Sequence, residues 1–357
     1  MKILINALSG IGDALMFSPA LRLLRQKVPD AQIDMLVMFR GVEEVYARNP
    51  DLNSVFFHDF LNAGAFSGLG KVLKLSQMKY DVSIQVYPSN RWPYSVISFL
   101  IGAKKRLGHD YQNSNFRSLN FLNNCRVPED VRMHNVEQNA SLVRLIGVEH
   151  GTPLPPLQIA LNETEISRAW EWLHAQGIPP GSLFVGMHAG SALFKNHVHK
   201  RWAPEKFAGL AKLLVARDNA CVLLFGGPDE HQLNESIAAT AGERVFVVKV
   251  HRFMDTAALM SLCSLFVSND SGLMHTAAAL QVPTVAIFAY TSPVFGHPWA
   301  SKHVVVRRDL DCSPCFVHSP RPAQCKWTED RFRCITRIEV DEVHRAAQFI
   351  MQTSRRT

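Results

Sequence analysis

Short apolar runs alternate with longer amphipathic segments along the chain, a pattern that indicates alternating strands and helices. The clearest block covers residues 262–293. An apolar run at 262–267 precedes a polar turn, a segment with helical spacing follows, and a β-branched run at 284–288 is typical of a strand buried on both faces. The block predicts a βαβ unit whose turn, residues 270–272, lies at the carboxyl end of a parallel strand, where open α/β sheets bind ligands.

The amino terminus repeats this pattern. A predicted strand at 3–5 leads into a turn containing Gly10 and Gly12, and a helix is predicted from 14 to about 28, with Ser18-Pro19 marking a kink or a second helix start. The two glycines allow a tight turn and close backbone approach, while Asp13 lies at the helix start facing the same opening. The segment lacks a full GxGxxG fingerprint, so we do not expect a dinucleotide site there.

The same alternation continues through both halves and predicts an α/β protein with two doubly wound, Rossmann-like domains that face each other across a cleft. A Gly- and Pro-rich stretch at 177–181 is the predicted linker. We therefore expect an N-terminal domain at 1–176, a C-terminal domain at 182–337, and a last helix at 338–357. Further predicted strands are 33–38, 54–58, 82–87, 183–188, 220–225 and 245–248, and further predicted helices are 136–146, 163–176, 204–216, 230–241 and 255–263.

Composition is that of a water-soluble globular protein, with 357 residues, 47% apolar and 19% charged. No apolar run is long enough for a transmembrane helix, and the first eight residues are too short for a signal peptide, so we expect a cytoplasmic protein. The net charge is +7 without a nucleic-acid reader motif, so no nucleic-acid partner is expected. A basic run at 104–106, with Arg117 and Arg126, is either a solvated face or a contact for an anionic acceptor or membrane surface.

The helix start after residue 270 is a candidate phosphate site, because unpaired N–H groups and the positive end of the helix dipole are both available to an anion. Gly272 would let a phosphate approach the backbone, and His275 lies one helical turn further on. The alternative is purely structural. In that interpretation Asp270 or Ser271 caps the helix and His275 is a polar residue near its start.

Three short blocks resemble the ADP-heptose:lipopolysaccharide heptosyltransferase family, glycosyltransferase family 9, and the similarity runs over essentially the whole chain. The blocks are Gly10-Ile11-Gly12-Asp13 followed by Ser18-Pro19-Ala20-Leu21, Lys200-Arg201-Trp202 before a helix, and Asp270-Ser271-Gly272-Leu273-Met274-His275. The resemblance implies the GT-B fold, with the nucleotide-sugar donor held mainly by the second domain and the acceptor by the first. It also implies that the last helix, 338–357, packs back on the first domain. It also implies inverting transfer that needs no metal or other catalytic cofactor. The implied donor is ADP-heptose, and the acceptor is a lipopolysaccharide core or a related anionic surface glycan, with peripheral contact at the inner face of the inner membrane.

By this resemblance Asp13 is the general base, in the acceptor-side turn with Gly10 and Gly12, and Lys200 neutralises the donor phosphates. Donor contacts are further implied for Gly190, Ser191, Asp270, Ser271, Gly272 and His275. Asp270 is assigned to loop ordering or sugar hydroxyls, because a carboxylate is unfavourable beside phosphates. Either Asp229 or Glu230 corresponds to an acidic ribose contact. The chain departs from the family at Asn6-Ala7, where an Arg is frequent, and at Ala289, where a Gly is usual.

Four of the seven cysteines are closely spaced. The C-x2-C-x9-C-x8-C spacing within the Cys-rich loop, 312–334, predicts a structural zinc or iron site formed by four thiolates, and some relatives with similar clusters hold iron. Unligated thiols and disulfides are the alternatives. These cysteines are Cys312, Cys315, Cys325 and Cys334.

Two other functions stay open from the sequence. A nucleotide-sugar epimerase also uses the GT-B fold, and a non-catalytic nucleotide-sugar-binding protein would keep the donor site without needing Asp13. The sequence does not identify the acceptor, the donor sugar, the linkage or the oligomeric state.

Overall fold

The computed structural model describes residues 1–111, 114–179, 181–191, 197–316 and 323–354. The chain divides into two compact units, Met1–Ala160 and Leu161–Thr357. Each unit contains a six-stranded sheet in which every strand pairing is parallel, and helices connect the strands. Within these residues, no helix has the length and apolar character needed to cross a membrane.

The sheet of the first unit has the order β3-β2-β1-β4-β5-β6, which is the Rossmann order. Strands β2 and β3 lie on one side of β1, and strands β4 to β6 lie on the other. The strand order therefore reverses between β1 and β4, and the loops after these two strands meet at one edge. The strands are β1 (Lys2–Ala7), β2 (Gln32–Val37), β3 (Ser54–Phe57), β4 (Val82–Gln85), β5 (Lys105–Asp110) and β6 (Cys125–Pro128). The helices are α1 (Ile11–Leu15), α2 (Ser18–Lys27), α3 (Arg40–Tyr46), α4 (Ala65–Ser76), α5 (Trp92–Ile101) and α6 (Asn135–Arg144), with a 3-10 turn at Asn120–Leu122.

The second unit repeats this order, β12-β11-β10-β7-β8-β9, and reverses between β7 and β10. Its strands are β7 (Leu183–His188), β8 (Ala220–Leu224), β9 (Val245–Val247), β10 (Leu265–Asn269), β11 (Thr284–Ile287) and β12 (His303–Val306). Its helices are α7 (Glu163–Ala175), α8 (Pro204–Asp218), α9 (His231–Ala241), α10 (Phe253–Ser261), α11 (Gly272–Ala279), α12 (Pro293–Gly296), α13 (Arg333–Thr336) and α14 (Val340–Ser354). Two 3-10 turns lie at Val198–Lys200 and Pro228–Glu230.

The segment after β1 forms two helices where one was predicted. Pro19 occupies the first turn of α2, where its missing N–H costs no helical hydrogen bond, and the Ser18 hydroxyl donates to the Leu15 carbonyl at 2.7 Å. Ser18-Pro19 is therefore a second helix start. The short helix α1 keeps Asp13 close to the end of β1.

The boundary between the units lies at residue 160, before the predicted linker at 177–181. Helix α7 belongs to the second unit, because its buried residues Ala169 and Leu173 join the core cluster of that unit with Leu259 and Phe266. The glycine-rich stretch only connects α7 to β7. The N-terminal unit is accordingly shorter than the expected 1–176.

The last helix is anchored in the second unit. Helix α14 packs on α8 and on strands β10, β11 and β12, and its expected packing on the first domain stays a prediction. Its apolar face, with Val343, Ala347 and Ile350, is buried in the core of the second unit. Residues spaced four and then three apart lie on one side of a helix, so α14 packs as an ordinary amphipathic helix does.

Candidate functional site

The loops that follow β7 and β10 meet at the carboxyl edge of the second sheet, where the strand order reverses. Asn269, the last residue of β10, holds them together. Its side-chain amide donates to the carbonyls of Ala189 and Gly190, at 2.8 and 3.3 Å, and its oxygen accepts from the backbone N–H of Trp202 at 3.0 Å. Both ends of the loop between β7 and α8, up to eighty residues away in the sequence, are thus tied to the end of β10.

A buried histidine bridges the two sides of this edge. His188, the last residue of β7, places Nδ1 2.9 Å from the Ser271 hydroxyl and Nε2 3.0 Å from Glu230 Oε2. All three side chains are buried. The imidazole therefore fixes the turn before α11 relative to the loop after β8.

Arg201 completes the network on its other side. Its guanidinium donates to the Ser191 hydroxyl at 3.0 Å, to the Ser191 carbonyl at 2.6 Å and to Glu230 Oε1 at 3.1 Å. Burial alone would raise the pKa of the Glu230 carboxyl, but His188, the Gly227 N–H and Arg201 lower it below its ordinary value. Glu230 is therefore an ionised, fully engaged structural carboxylate in this edge.

Lys200 and Asp270 form a second, largely buried ion pair at the same edge. Lys200 Nζ donates to Asp270 Oδ2 at 3.0 Å, and the Thr291 hydroxyl donates to the same oxygen at 2.9 Å. Burial would raise the pKa of the Asp270 carboxyl, but the Lys200 charge and hydrogen bond, with His275 and Thr291, lower it. The pair places one cation and one anion where the sequence predicted donor phosphates.

The structure brings the predicted donor residues of the second unit together, but it gives several of them structural contacts. The Ser191 hydroxyl donates to the His197 carbonyl at 3.0 Å, and Ser271 is the N-cap residue of α11, with Gly272 as its first residue. His275 is buried one turn into α11. Of the two acidic candidates, Asp229 is exposed, whereas Glu230 is buried in the network with His188 and Arg201.

In the first unit, Asp13 lies in α1 at the carboxyl end of β1, beside the strand-order reversal. It is half-buried, and its negative charge reaches three tyrosines. Burial, to which the Asp13 charge adds, raises the pKa of Tyr94 to about 12 despite the nearby Arg91. Tyr87 and Tyr111 also have raised pKa values, chiefly through burial, and both stay neutral donors at physiological pH.

The turn before Asp13 has features of a ligand-binding loop. Gly10 is extended, with φ −66° and ψ 172°, and an added Cβ would meet nothing within 4 Å, so the fold itself does not require glycine there. Gly12 is buried within α1. Asn6 and Ser9 are buried, and their side-chain polar atoms have no hydrogen-bond partner among the described residues. Buried polar groups are normally paired, so these two mark a place where a polar ligand would be stabilising.

The four clustered cysteines line one cavity of about 70 Å³, together with Tyr290, Trp327 and Phe332. The prediction of a structural metal there is not supported. Among the described residues, which exclude 317–322 of this loop, no three His, Cys, Asp or Glu side chains are arranged to hold an ion. The Cys325 sulfur accepts the Phe332 N–H at 3.3 Å, and Cys334 is packed into the core of the second unit. Burial raises the pKa of the Cys334 thiol to about 11, and all four cysteines are free thiols.

Sequence reasoning missed three residues of the second-unit site. His188 was predicted as the last residue of a strand, and Asn269 was placed in the polar turn that follows residue 267. Arg201 stood inside the Lys200-Arg201-Trp202 block without a role of its own. A polar residue at the last position of a buried strand is the signal that would have identified the first two, since that position faces the ligand edge of a parallel sheet.

Comparison with known proteins identifies the family. Residues 70–325 match the family model described as glycosyltransferase family 9 (heptosyltransferase). The chain is 30% identical over 328 residues to lipopolysaccharide heptosyltransferase 2 of Salmonella typhimurium, a match that covers 86% of this chain and 88% of that protein.

Two solved structures are similar over nearly the whole chain. The family 9 glycosyltransferase of Veillonella parvula aligns with a TM-score of 0.80 and 21% identity, over 99% of this chain and 97% of its own. ADP-heptose LPS heptosyltransferase II of Escherichia coli aligns with a TM-score of 0.78 and 22% identity, over 99% and 100%. These likenesses confirm the expected fold class, α/β with the two Rossmann-like units of the GT-B fold. The chain belongs to glycosyltransferase family 9, the heptosyltransferase family, and is a glycosyltransferase.

Proposed function

We propose that this enzyme transfers a heptose from ADP-heptose to a lipopolysaccharide core, with inversion at the anomeric carbon and without a metal. The relatives reported above, named for heptose transfer to lipopolysaccharide and for ADP-heptose, support this choice of donor and acceptor. One observation supports this mechanism: the two points at which the strand order reverses carry different charged groups. One has a half-buried carboxylate, Asp13, and the other a buried cation, Lys200.

The donor diphosphate binds at the carboxyl edge of the second sheet. Helix α11 begins there with Ser271 as its N-cap, so backbone N–H groups and the helix dipole favour an anion. Lys200 is 9% exposed and is positioned at this edge by its ion pair with Asp270. An arriving diphosphate takes up part of the interaction that Lys200 now makes with Asp270. Asp229, the exposed member of the acidic pair, is then the carboxylate available for the ribose hydroxyls.

The acceptor hydroxyl binds in the first unit, beside Asp13. Asp13 accepts its proton as the hydroxyl oxygen attacks the anomeric carbon, and the bond from that carbon to the diphosphate oxygen breaks. The electron pair of the broken bond leaves with ADP. Lys200 and the start of α11 stabilise the charge that develops on the leaving group, which is the task that a metal ion performs in other transferases. The unpaired polar groups of Asn6 and Ser9 are available to acceptor hydroxyls.

The test is mass-spectrometric detection of heptose addition to truncated lipopolysaccharide, with ADP-heptose as donor and a chelator present. Asp13→Asn removes the base while keeping the side-chain shape, so we expect the rate to fall by roughly 10²–10⁴-fold with ADP affinity unchanged. Asp30→Asn is the matched control, because Asp30 is an exposed carboxylate of the same unit. Full activity of Asp13→Asn would contradict the assignment of the base. Transfer abolished by the chelator would contradict metal independence.

A further inference from the structure

Helix α5 presents its apolar side to solvent. The segment WPYSVISFLI contains no charged residue, and its outward positions Trp92, Phe99 and Leu100 are 57%, 46% and 45% exposed. The inward positions include two serines, Ser95 and Ser98, both fully buried. A surface helix of a globular protein ordinarily shows the reverse arrangement, with polar residues outward. The outward face of α5 is therefore adapted to a non-aqueous partner.

Helix α4 continues this face. Phe66, Leu69 and Leu73, spaced three and four residues apart, lie along one side of the helix, and Phe66 is 93% exposed. The opposite side, with Val72 and Leu75, packs into the core cluster that also contains residues of α5, Ile97 and Ile101. The two helices thus lie side by side over one core, and each carries exposed apolar residues. We call these residues the α4–α5 face, comprising Phe66, Leu69, Leu73, Trp92, Phe99 and Leu100.

Basic residues are frequent in the segment that contains the α4–α5 face. Between positions 60 and 109 the chain has seven lysines and arginines and one acidic residue, Asp81. The Arg106 guanidinium lies over the Phe99 ring, 5.4 Å from its centroid, and the Lys104 side chain is 80% exposed while it pairs with Asp81. The seven basic residues are Lys71, Lys74, Lys79, Arg91, Lys104, Lys105 and Arg106.

We propose that the α4–α5 face docks on a bilayer that contains anionic phospholipids. Exposed Trp, Phe and Leu side chains insert at the boundary between headgroups and acyl chains, where a tryptophan is favoured, and lysines and arginines interact with the lipid phosphates. The face belongs to the unit that carries Asp13. This proposal rests on the proposed function in one respect: an enzyme that acts on a lipid-anchored acceptor has to reach that acceptor at a membrane surface.

Charge favours a membrane over a second copy of the chain. A symmetric dimer through this face would set the same basic residues against themselves, and like charges across an interface are destabilising. An anionic bilayer supplies both the apolar phase and the complementary charge.

Vesicle flotation of the full chain tests the proposal without any sugar donor, so its outcome is independent of the transfer assay. The probes are vesicles of phosphatidylcholine alone and vesicles in which about a third of the lipid is phosphatidylglycerol. We expect binding to the anionic vesicles that weakens as salt is raised. The double variant Phe66→Ser/Phe99→Ser should bind at least about tenfold more weakly, because two exposed aromatic anchors are lost.

Phe349→Ser/Val294→Ser is the matched control, since these exposed apolar residues lie in the second unit, and it should bind like the unsubstituted chain. Transfer to a lipid-free acceptor should be equal for all three proteins, which shows that they are folded. Equal binding to both kinds of vesicle, or unaltered binding by Phe66→Ser/Phe99→Ser, would overturn the proposal. Light scattering that shows this variant converting an oligomer to a monomer, without vesicle binding by the unsubstituted chain, would assign the face to self-association instead.

Discussion

The Glu230 carboxylate packs directly against the Cα of Gly190. A Cβ added at position 190 would overlap the carboxylate group, so only glycine permits this approach. Glu230 cannot move away freely, because its oxygens are held by His188, Arg201 and the Gly227 N–H. The glycine after β7 thus has a structural reason of its own, apart from the donor contact that the family resemblance implies.

Gly190→Ala should destabilise the protein by about 1–3 kcal/mol, the usual cost of overpacking, and should weaken ADP binding. The added methyl displaces Glu230, which breaks hydrogen bonds that join the loops after β7 and β8. Thermal unfolding and calorimetric titration with ADP measure the two effects.

The control is Gly70→Ala. An added Cβ at Gly70, within α4, meets nothing within 4 Å, and alanine favours a helix over glycine. We expect Gly70→Ala to be neutral or stabilising by up to about 1 kcal/mol. A Gly190→Ala variant as stable as Gly70→Ala would show that Glu230 relocates without cost.

Substitutions at Lys200 distinguish its contribution to stability from its contribution to donor binding. Lys200→Met leaves the Asp270 carboxylate buried without its cation, and we expect a loss of about 3–5 kcal/mol of stability. Lys200→Met/Asp270→Asn removes both charges and should recover most of that stability. ADP affinity should stay low in both variants if Lys200 acts on the diphosphate.

Denaturant unfolding and ADP titration measure the two quantities, and Lys249→Met is the control. Lys249 pairs with Glu235, but both side chains are more than half exposed, so its loss should have little effect on stability. Recovery of ADP affinity in Lys200→Met/Asp270→Asn would contradict the donor role and leave Lys200 as a partner of Asp270 only.

A buried histidine should make the stability of the chain depend on pH. His109 is buried on β5, with Nε2 3.4 Å from the Ser141 hydroxyl, and burial lowers its pKa to about 3. In the unfolded chain the pKa is about 6.5, so below that pH the unfolded state binds a proton that the folded state does not. The free energy of unfolding should therefore fall as the pH decreases below about 6.5, by up to about 1.4 kcal/mol per pH unit.

His109→Gln should flatten this slope, measured by denaturant unfolding between about pH 6.5 and 5, above the range in which ordinary carboxyls titrate. His150→Gln is the control, because His150 is exposed and should leave the slope unchanged. An unchanged slope in His109→Gln would mean that another group takes up the proton.

Much of the architecture follows from local pattern. Apolar runs of strand length and amphipathic segments at helical spacing predicted most elements of both sheets, because burial on a parallel sheet demands those periods. Strands β5, β6 and β12 were not among them. Strand β5 begins with the charged residues Lys105 and Arg106 and so gives no continuous apolar run. Strands β6 and β12 are four residues long and lie at the sheet edges, where strands are only partly covered.

The sequence alone determined the chemistry of single positions: a carboxylate at Asp13, a lysine at Lys200 and a glycine-containing turn before α11. Tertiary structure decided what these groups touch. The contact of His188 with Glu230 joins residues 42 apart, and it exists only because strand order brings the ends of β7 and β8 together. The same is true of α5, whose apolar sequence by itself favours burial on all sides. Periodicity depends on neighbours along the chain, whereas pairing and exposure depend on which distant segments the sheet places beside them.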